Sequence, residues 1–136
     1  MKRFANLILA VLILLFAAVP VYAAENESIQ PRYTYIASFT ASMLVHSNTG
    51  ISTCTGFVKV NPGYKAKVVC RLQKQVDSAW ETVKTWEGTG DGYANVSEKW
   101  AVYSYYNYRV YVTAYVYDSD GNIVETAANV DYADYV

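Results

Sequence analysis

Aromatic residues, concentrated in one segment, are the strongest candidates for ligand binding in this sequence. The segment YYNYRVYVTAYVY, residues 105–117, holds six tyrosines in 13 positions. Successive side chains of a strand point to opposite faces, so small apolar residues fill one face while Tyr111, Tyr115 and Tyr117 occupy the other. A stripe of phenol rings outside a sheet offers apolar faces with polar tips, which suits sugars, peptides or a protein partner.

Two tryptophans are predicted to extend this binding surface. The segment WETVKTWE, residues 80–87, alternates so that Trp80 and Trp86 are expected to share one face of a strand. The alternative is structural, because tyrosine rings lying over the stems of Lys67 or Arg71 stabilise a cross-strand pair by about 0.2–1 kcal/mol without any ligand. Both explanations remain open from the sequence.

Other catalytic or metal-binding chemistry finds little support. His46 is the only histidine, and no motif places a nucleophile or an orienting acid with it. The segment DSDGN, residues 118–122, resembles part of a calcium loop, but a hairpin turn explains its composition without a metal. We therefore predict no catalytic residue, no metal site and no cofactor.

The two cysteines, Cys54 and Cys70, flank the turn NPGY at residues 61–64 almost symmetrically. If the flanking strands bring the sulfurs together, a disulfide closing a loop of about 15 residues would contribute about 3 kcal/mol. The alternative is a pair of buried thiols that behave as small hydrophobic side chains. A disulfide is the prediction, with the thiols as the competing interpretation.

These side chains are predicted to lie on strands, because apolar residues alternate with period two and never keep helical spacing for three turns. The predicted strands cover about 33–45, 51–60, 65–76, 80–87, a weaker segment within 93–104, the tyrosine segment, and a last strand from Ile123. Loops are predicted at HSNTG (46–50) and GTGDG (88–92), and Asp120-Gly121 predicts a hairpin. The fold class is all-β, a single antiparallel β-sandwich of about seven strands.

The N-terminus has the pattern of a secretory signal peptide. Lys2 and Arg3 precede an apolar run of 16 residues, shorter than the roughly 20 that a spanning helix needs, and Val-Tyr-Ala at 21–23 suits cleavage. The predicted divisions are a signal peptide at 1–23, a flexible leader at 24–32 and a β-sandwich domain at 33–136. The expected location is extracellular, free or at the cell surface, without a stable membrane anchor.

Charge argues against nucleic acid as a partner. Removal of Lys2 and Arg3 leaves nine basic residues against 12 acidic ones, a formal net charge of −3. The basic residues are scattered, and they form no concentrated positive patch of the kind that a phosphate backbone requires.

Two segments carry a resemblance to a known class. YKAKVVCRLQKQVDSAWETVKTWE, residues 64–87, resembles the central strands of bacterial fibronectin-like and immunoglobulin-like modules, and NYRVYVTAYVYDSDGNIVE, residues 107–125, resembles their last hairpin. A signal peptide followed by one such domain is similar to small secreted Gram-positive proteins of unknown function. The resemblance implies an immunoglobulin or fibronectin type III-like fold with Tyr108 as a corner tyrosine, although antibody domains separate their cysteines further than 16 residues.

The sequence therefore predicts a secreted, non-enzymatic β-sandwich that binds an extracellular glycan or protein through an exposed aromatic face. The predicted ligand-binding residues are Tyr111, Tyr115, Tyr117, Trp80 and Trp86. The alternative is a small secreted effector or inhibitor that acts on a protein target through its loops, while the tyrosines only pack.

Overall fold

The computed structural model describes residues 32–136, and all the regular structure in this range is β-strand. The strands are β1 (Ile36–His46), β2 (Ile51–Val60), β3 (Lys65–Val76), β4 (Ala79–Asp91), β5 (Tyr93–Ala101), β6 (Tyr108–Tyr117), β7 (Ile123–Tyr132) and β8 (Asp134–Tyr135). The predicted signal peptide, and the predicted leader up to residue 31, lie outside the described residues. No helix of residues 32–136 is long and apolar enough to cross a membrane.

The strands form two four-stranded sheets. Sheet A has the order β5-β2-β1-β8, and sheet B has the order β4-β3-β6-β7. Neighbouring strands pair antiparallel except β1 and β8, which pair in parallel over two residues. The predicted all-β class is confirmed, and the arrangement of two sheets around one core agrees with a β-sandwich.

The core lies between the sheets and follows the alternation of the sequence. On β6 the residues from Val110 to Val116 at every second position are fully buried, and on β3 the same holds for Val68, Cys70 and Leu72. Sheet A contributes Val58 and other residues of the same parity. Each fully buried valine or leucine contributes about 1.5–3 kcal/mol, so this alternation drives the pairing of the two layers.

At one edge of the molecule, glycines let β4 of sheet B lie close to β5 of sheet A. A Cβ atom added to Gly88 or Gly90 of β4 would collide with the backbone carbonyl oxygens of Asn95 and Tyr93 on β5. Glycine permits this close approach of two backbones, so β4 continues to Asp91 and turns directly into sheet A. The predicted loop at residues 88–92 is therefore wrong, because its glycines serve a tight strand contact rather than a flexible connection.

The opposite edge is closed by two carboxylates of β7. Glu125 accepts hydrogen bonds from the backbone N–H groups of residues 34–36 at 2.8, 3.1 and 2.9 Å. Asp131 accepts one from the backbone N–H of Met43 at 2.8 Å. These bonds join β7 of sheet B to β1 of sheet A and cover amides that an edge strand would otherwise leave exposed.

The predicted hairpin at Asp120-Gly121 is confirmed. The carboxylate of Asp118 accepts hydrogen bonds from the backbone N–H groups of Asp120 and Asn122 at 3.0 and 2.9 Å. Gly121 adopts the left-handed conformation with a φ of 81°. Asp118 therefore acts as a turn-forming side chain, as aspartate commonly does.

Candidate functional site

A β-bulge in β4 determines which tryptophan reaches the outer face of sheet B. Leu72 of β3 pairs with Lys84, but the next residue, Gln73, pairs with Thr82, so Val83 is an extra residue in β4. One extra residue exchanges the two faces of a strand beyond the bulge. Trp80 consequently lies on the outer face, together with Tyr111, Tyr115 and Tyr117 of β6.

Trp86 lies on the other side of the bulge and faces inward. It is half-buried against the core, and its ring centroid lies 6.2 Å from that of Trp100 on β5 in an edge-to-face arrangement. The Nζ of Lys84 lies 5.2 Å from the centre of the Trp100 ring. The prediction that Trp80 and Trp86 share a face is therefore wrong, because strict alternation did not allow for the bulge.

The outer face of sheet B holds an aromatic cluster that consists of Trp80, Arg109, Tyr111 and Tyr132. The rings of Trp80 and Tyr132 are 6.0 Å apart between centroids and inclined by 56°. The guanidinium carbon of Arg109 lies 4.3 Å from the Trp80 ring centre and 5.7 Å from the Tyr111 ring centre. Arg109 thus makes cation–π contacts with two of the three rings, those of Trp80 and Tyr111.

The side chain of Arg109 is held in place by its own strand neighbours. Its Nε–H donates to Oε1 of Gln73 at 2.8 Å, and Gln73 pairs directly with Arg109 across β3 and β6. Tyr132 is the residue opposite Arg109 on β7. Three adjacent strands therefore present one row of side chains, to which Trp80 of β4 is added.

The other two predicted tyrosines lie further along the same face. Tyr115 and Tyr117 are half-buried and pair with Lys67 and Lys65 of β3. Four residues of a strand span about 13 Å, so Tyr115 is well separated from Tyr111. Of the five residues predicted to bind a ligand, the fold gathers Trp80 and Tyr111 in one cluster, and binding by any of them stays a prediction.

A depression of about 220 Å³ adjoins the aromatic cluster. Its lining includes Trp80, Tyr132, Gln75 and Asn107. The Nδ2 of Asn107 donates to Oε1 of Gln75 at 3.2 Å, and each amide has hydrogen-bonding capacity beyond this bond. Apolar ring faces beside a few converging polar groups are the usual composition of a small-molecule site.

Tyr132 and Arg109 are the members of the cluster that sequence reasoning missed. An unbroken register from the pair Tyr117–Ile123 would set Arg109 opposite Asp131. A second bulge changes this register, because Val116 pairs with Glu125 while Tyr117 pairs with Ile123. The shift by one residue turns Asp131 toward β1 and brings Tyr132 beside Arg109.

A larger depression lies at the other end of the molecule, on sheet A. It has a volume of about 590 Å³ and is lined by Phe57, Val60, Pro62 and Tyr93 with Lys59 at its side. This lining is almost wholly apolar. It provides few groups that would orient a ligand, so the aromatic cluster is the stronger candidate.

Tyr108 has a structural role. Its ring is buried, and its hydroxyl oxygen accepts a hydrogen bond from the backbone N–H of Tyr103 at 3.1 Å. In the same connection the rings of Tyr103 and Tyr105 stack with centroids 5.5 Å apart and are strongly exposed.

The two cysteines are free, buried thiols rather than a disulfide. They lie on β2 and β3, which belong to different sheets, and stacked sheets are about 10 Å apart. Burial raises the pKa of the Cys70 thiol to about 12, and the nearby charge of a Cys54 thiolate would raise it too. Burial likewise raises the pKa of Cys54, against a smaller opposite effect of its contact with the Ser52 hydroxyl. The predicted disulfide is corrected, and the alternative of two small core side chains applies.

His46 and the acidic side chains form no second candidate site in the described part of the chain. His46 is exposed at the end of β1, where its carbonyl oxygen accepts the turn's backbone N–H groups. Within residues 32–136 no group of three or more histidine, cysteine, aspartate or glutamate side chains is placed to hold a metal ion.

No protein-family model matches the chain, and a search of curated proteins finds no significant match. The functional interpretation therefore rests on the geometry of the aromatic cluster and its depression.

Proposed function

We propose that this protein is an exported, non-enzymatic binding module whose aromatic cluster holds a saccharide outside the cell. The observation that supports this function best is the convergence of Trp80, Tyr111 and Tyr132 on one outer face, next to the amides of Gln75 and Asn107. Tilted rings offer apolar surfaces against which a sugar ring packs, and amides beside them hydrogen-bond its hydroxyl groups.

The size of the depression favours one sugar unit of a longer chain. Pockets for drug-sized ligands occupy about 300–1,000 Å³, whereas this depression has about 220 Å³. A polysaccharide or glycan would insert one ring and extend over the sheet toward Tyr115 and Tyr117. These two tyrosines would then contact neighbouring units, which gives the whole predicted tyrosine stripe a role.

We also propose that the domain is of the immunoglobulin or fibronectin type III-like type found in small secreted Gram-positive proteins. The order β7-β6-β3-β4 corresponds to strands G, F, C and C′ of such domains, and β1, β2 and β5 correspond to A, B and E. The hydrogen bond from the Tyr103 amide to the Tyr108 hydroxyl, at the start of the F-like strand, supports a tyrosine corner. Export is proposed from the signal-peptide pattern of residues 1–23.

The test is binding of the purified protein to an array of cell-wall and host glycans, followed by titration of any ligand with tryptophan fluorescence. Tyr132→Ser is expected to weaken binding at least tenfold, since it removes one ring of the cluster. Tyr93→Ser is the matched control, because Tyr93 is 58% exposed on sheet A and Tyr132 is 60% exposed on sheet B. Saccharide binding that is lost with Tyr93→Ser and retained with Tyr132→Ser would move the site to the larger depression.

Fluorescence can assign the site independently. Trp80→Phe should abolish the ligand-induced change in emission, whereas Trp100→Phe, which alters a ring on sheet A, should retain it. If no glycan of the array binds, saccharide binding is refuted, and cross-strand packing is then the role of the aromatic cluster.

A second candidate function is that of a secreted effector or inhibitor that engages a protein through its loops. The observation that favours it is the stacked pair Tyr103 and Tyr105, which are 61% and 74% exposed in the connection between β5 and β6. The variant Tyr103→Ser with Tyr105→Ser distinguishes the two functions, since saccharide binding by the aromatic cluster would survive it and loop-mediated protein binding would be lost.

A further inference from the structure

Two arginine side chains flank Tyr111 on the outer face of sheet B. Arg109 precedes it by two residues on β6, and Arg71 lies directly opposite it on β3. The Nη1 of Arg71 donates to the hydroxyl oxygen of Thr113 at 3.5 Å, and Arg109 donates to Gln73. Both guanidinium groups thus bond to neutral acceptors and retain donors for an anion.

The carboxylates of the neighbouring strand face away from this pair. Glu125 and Asp131 of β7 are turned to the backbone amides of β1 at the edge of the molecule. The outward residues of β7 beside the arginines are Ala128, Val130 and Tyr132. The register created by the second bulge therefore turns the β7 carboxylates away from the arginines, and Glu87 of β4, which lies on the same face near Arg71, pairs with Lys67.

Neither Arg71 nor Arg109 forms an ion pair with a carboxylate of the described residues. Between residues 32 and 136 the structure contains a single ion pair, in which Nζ of Lys67 lies 3.6 Å from Oε2 of Glu87. The exported chain would have a net charge of −3, so a general attraction for polyanions is not expected. A local pair of guanidinium groups on such a protein favours a specific anionic ligand.

We infer that the saccharide bound by the aromatic cluster is acidic, with an oxyanion held by Arg71 and Arg109 while its ring packs against Trp80 or Tyr132. This inference rests on the function proposed above. A guanidinium group forms two parallel hydrogen bonds with a carboxylate or a phosphate, which a neutral sugar does not provide. The oxyanion is either the carboxylate of a uronic acid or a sugar phosphate.

The experiment measures affinity for four probes by isothermal titration calorimetry. They are an oligogalacturonate, a neutral galactose oligosaccharide of the same length, a mannose 6-phosphate-bearing oligosaccharide, and polyaspartate. The acidic saccharide is expected to bind at least roughly tenfold more tightly than the neutral one, in line with one hydrogen bond to a charged group. Binding of the uronate or of the phosphate identifies which oxyanion is preferred.

Variants assign the charge to its residues. Arg71→Gln and Arg109→Gln should each reduce affinity for the acidic saccharide about tenfold or more, and Arg109→Lys should retain part of it. Lys84→Gln is the matched control, because Lys84 also lies over a tryptophan ring but on the other face. Unfolding midpoints of all variants exclude loss of folding as the cause.

The outcomes separate the inference from the proposed function. Equal binding of acidic and neutral saccharides would overturn the inference that the ligand is acidic, and it would leave the proposed saccharide binding intact. Binding of polyaspartate as tightly as the oligogalacturonate would overturn the inference as well, since charge alone would then suffice. Failure of all saccharides to bind would refute the proposed function and the inference together.

Discussion

Replacing Glu125 with alanine should open the edge at which β7 meets β1. The carboxylate of Glu125 accepts three backbone hydrogen bonds, from Thr34, Tyr35 and Ile36. The amide of Thr34 is exposed and can bond to water in the variant, whereas those of Tyr35 and Ile36 are partly buried. The cost of the substitution therefore comes chiefly from two bonds.

The magnitude follows from these two bonds. Hydrogen bonds to a charged group contribute about 1.5–3 kcal/mol each, so the lower figure gives a loss of about 3 kcal/mol in the free energy of unfolding. That is a large part of the 5–15 kcal/mol by which domains of this size are stable. Glu125→Gln should lose less stability, because the amide oxygen of glutamine still accepts hydrogen bonds, although its NH₂ group cannot.

Urea denaturation measures the loss, and hydrogen exchange locates it. Exchange of the Tyr35 and Ile36 amides should accelerate about 100-fold, the equivalent of about 3 kcal/mol, while Met43, which is bonded to Asp131, changes only through the lower global stability. Glu98→Ala, at an exposed carboxylate of β5, is the control and should change stability by less than about 0.5 kcal/mol. A loss below about 1 kcal/mol for Glu125→Ala, with unchanged exchange at residues 35 and 36, would refute the proposed role of this carboxylate.

Three further predictions concern the core and a turn. Gly56→Ala should destabilise the protein by about 1–3 kcal/mol, because its Cβ would lie 2.8 Å from Cγ1 of Val112. In urea denaturation, the double variant with Val112→Ala should lose less stability than the sum of the two single variants. Strict additivity would contradict the contact. The Cys70 thiol should resist Ellman's reagent at pH 8 until the protein is unfolded. Its pKa is raised to about 12 in the folded state, so the free energy of unfolding should fall by about 1.4 kcal/mol per pH unit once the pH exceeds the unfolded pKa of about 8.5. Cys70→Ala should reduce this pH dependence. Rapid reaction of the native protein would show that the thiol is accessible. Asp118→Ala should destabilise the β6–β7 hairpin by about 1–2 kcal/mol in thermal unfolding through the loss of two hydrogen bonds, and no change would mean that the Gly121 backbone alone forms the turn.

The positions of the strands could be predicted because they depend on local signals. Alternation of apolar and polar residues marks which side of each strand is buried, and it assigned the inward residues of β3 and β6 correctly. The Asp-Gly pair before β7 required a tight turn, since only particular residues adopt positive φ there. The tyrosine run could likewise be divided into buried Tyr108 and outward Tyr111, Tyr115 and Tyr117.

The glycine-rich segment at residues 88–92 shows the limit of local signals. Glycines usually indicate a loop, but here they allow two backbones to approach at the edge where β4 crosses into sheet A. The distance between β4 and β5 is set by the packing of two sheets. No property of the segment itself distinguishes these two uses of glycine.

Which residues belong to the candidate site depends on how the strands pair. Alternation by itself determines two faces, but the extra residue Val83 exchanges those faces within β4, and the extra residue Val124 does so near the start of β7. The first bulge separates Trp80 from Trp86, and the second places Tyr132 rather than Asp131 beside Arg109. A bulge forms where twist and packing between neighbouring strands favour it, so its position depends on residues distant in sequence. The candidate binding residues could therefore be named from their types and local pattern, whereas the pairing of the strands sets which of them lie together.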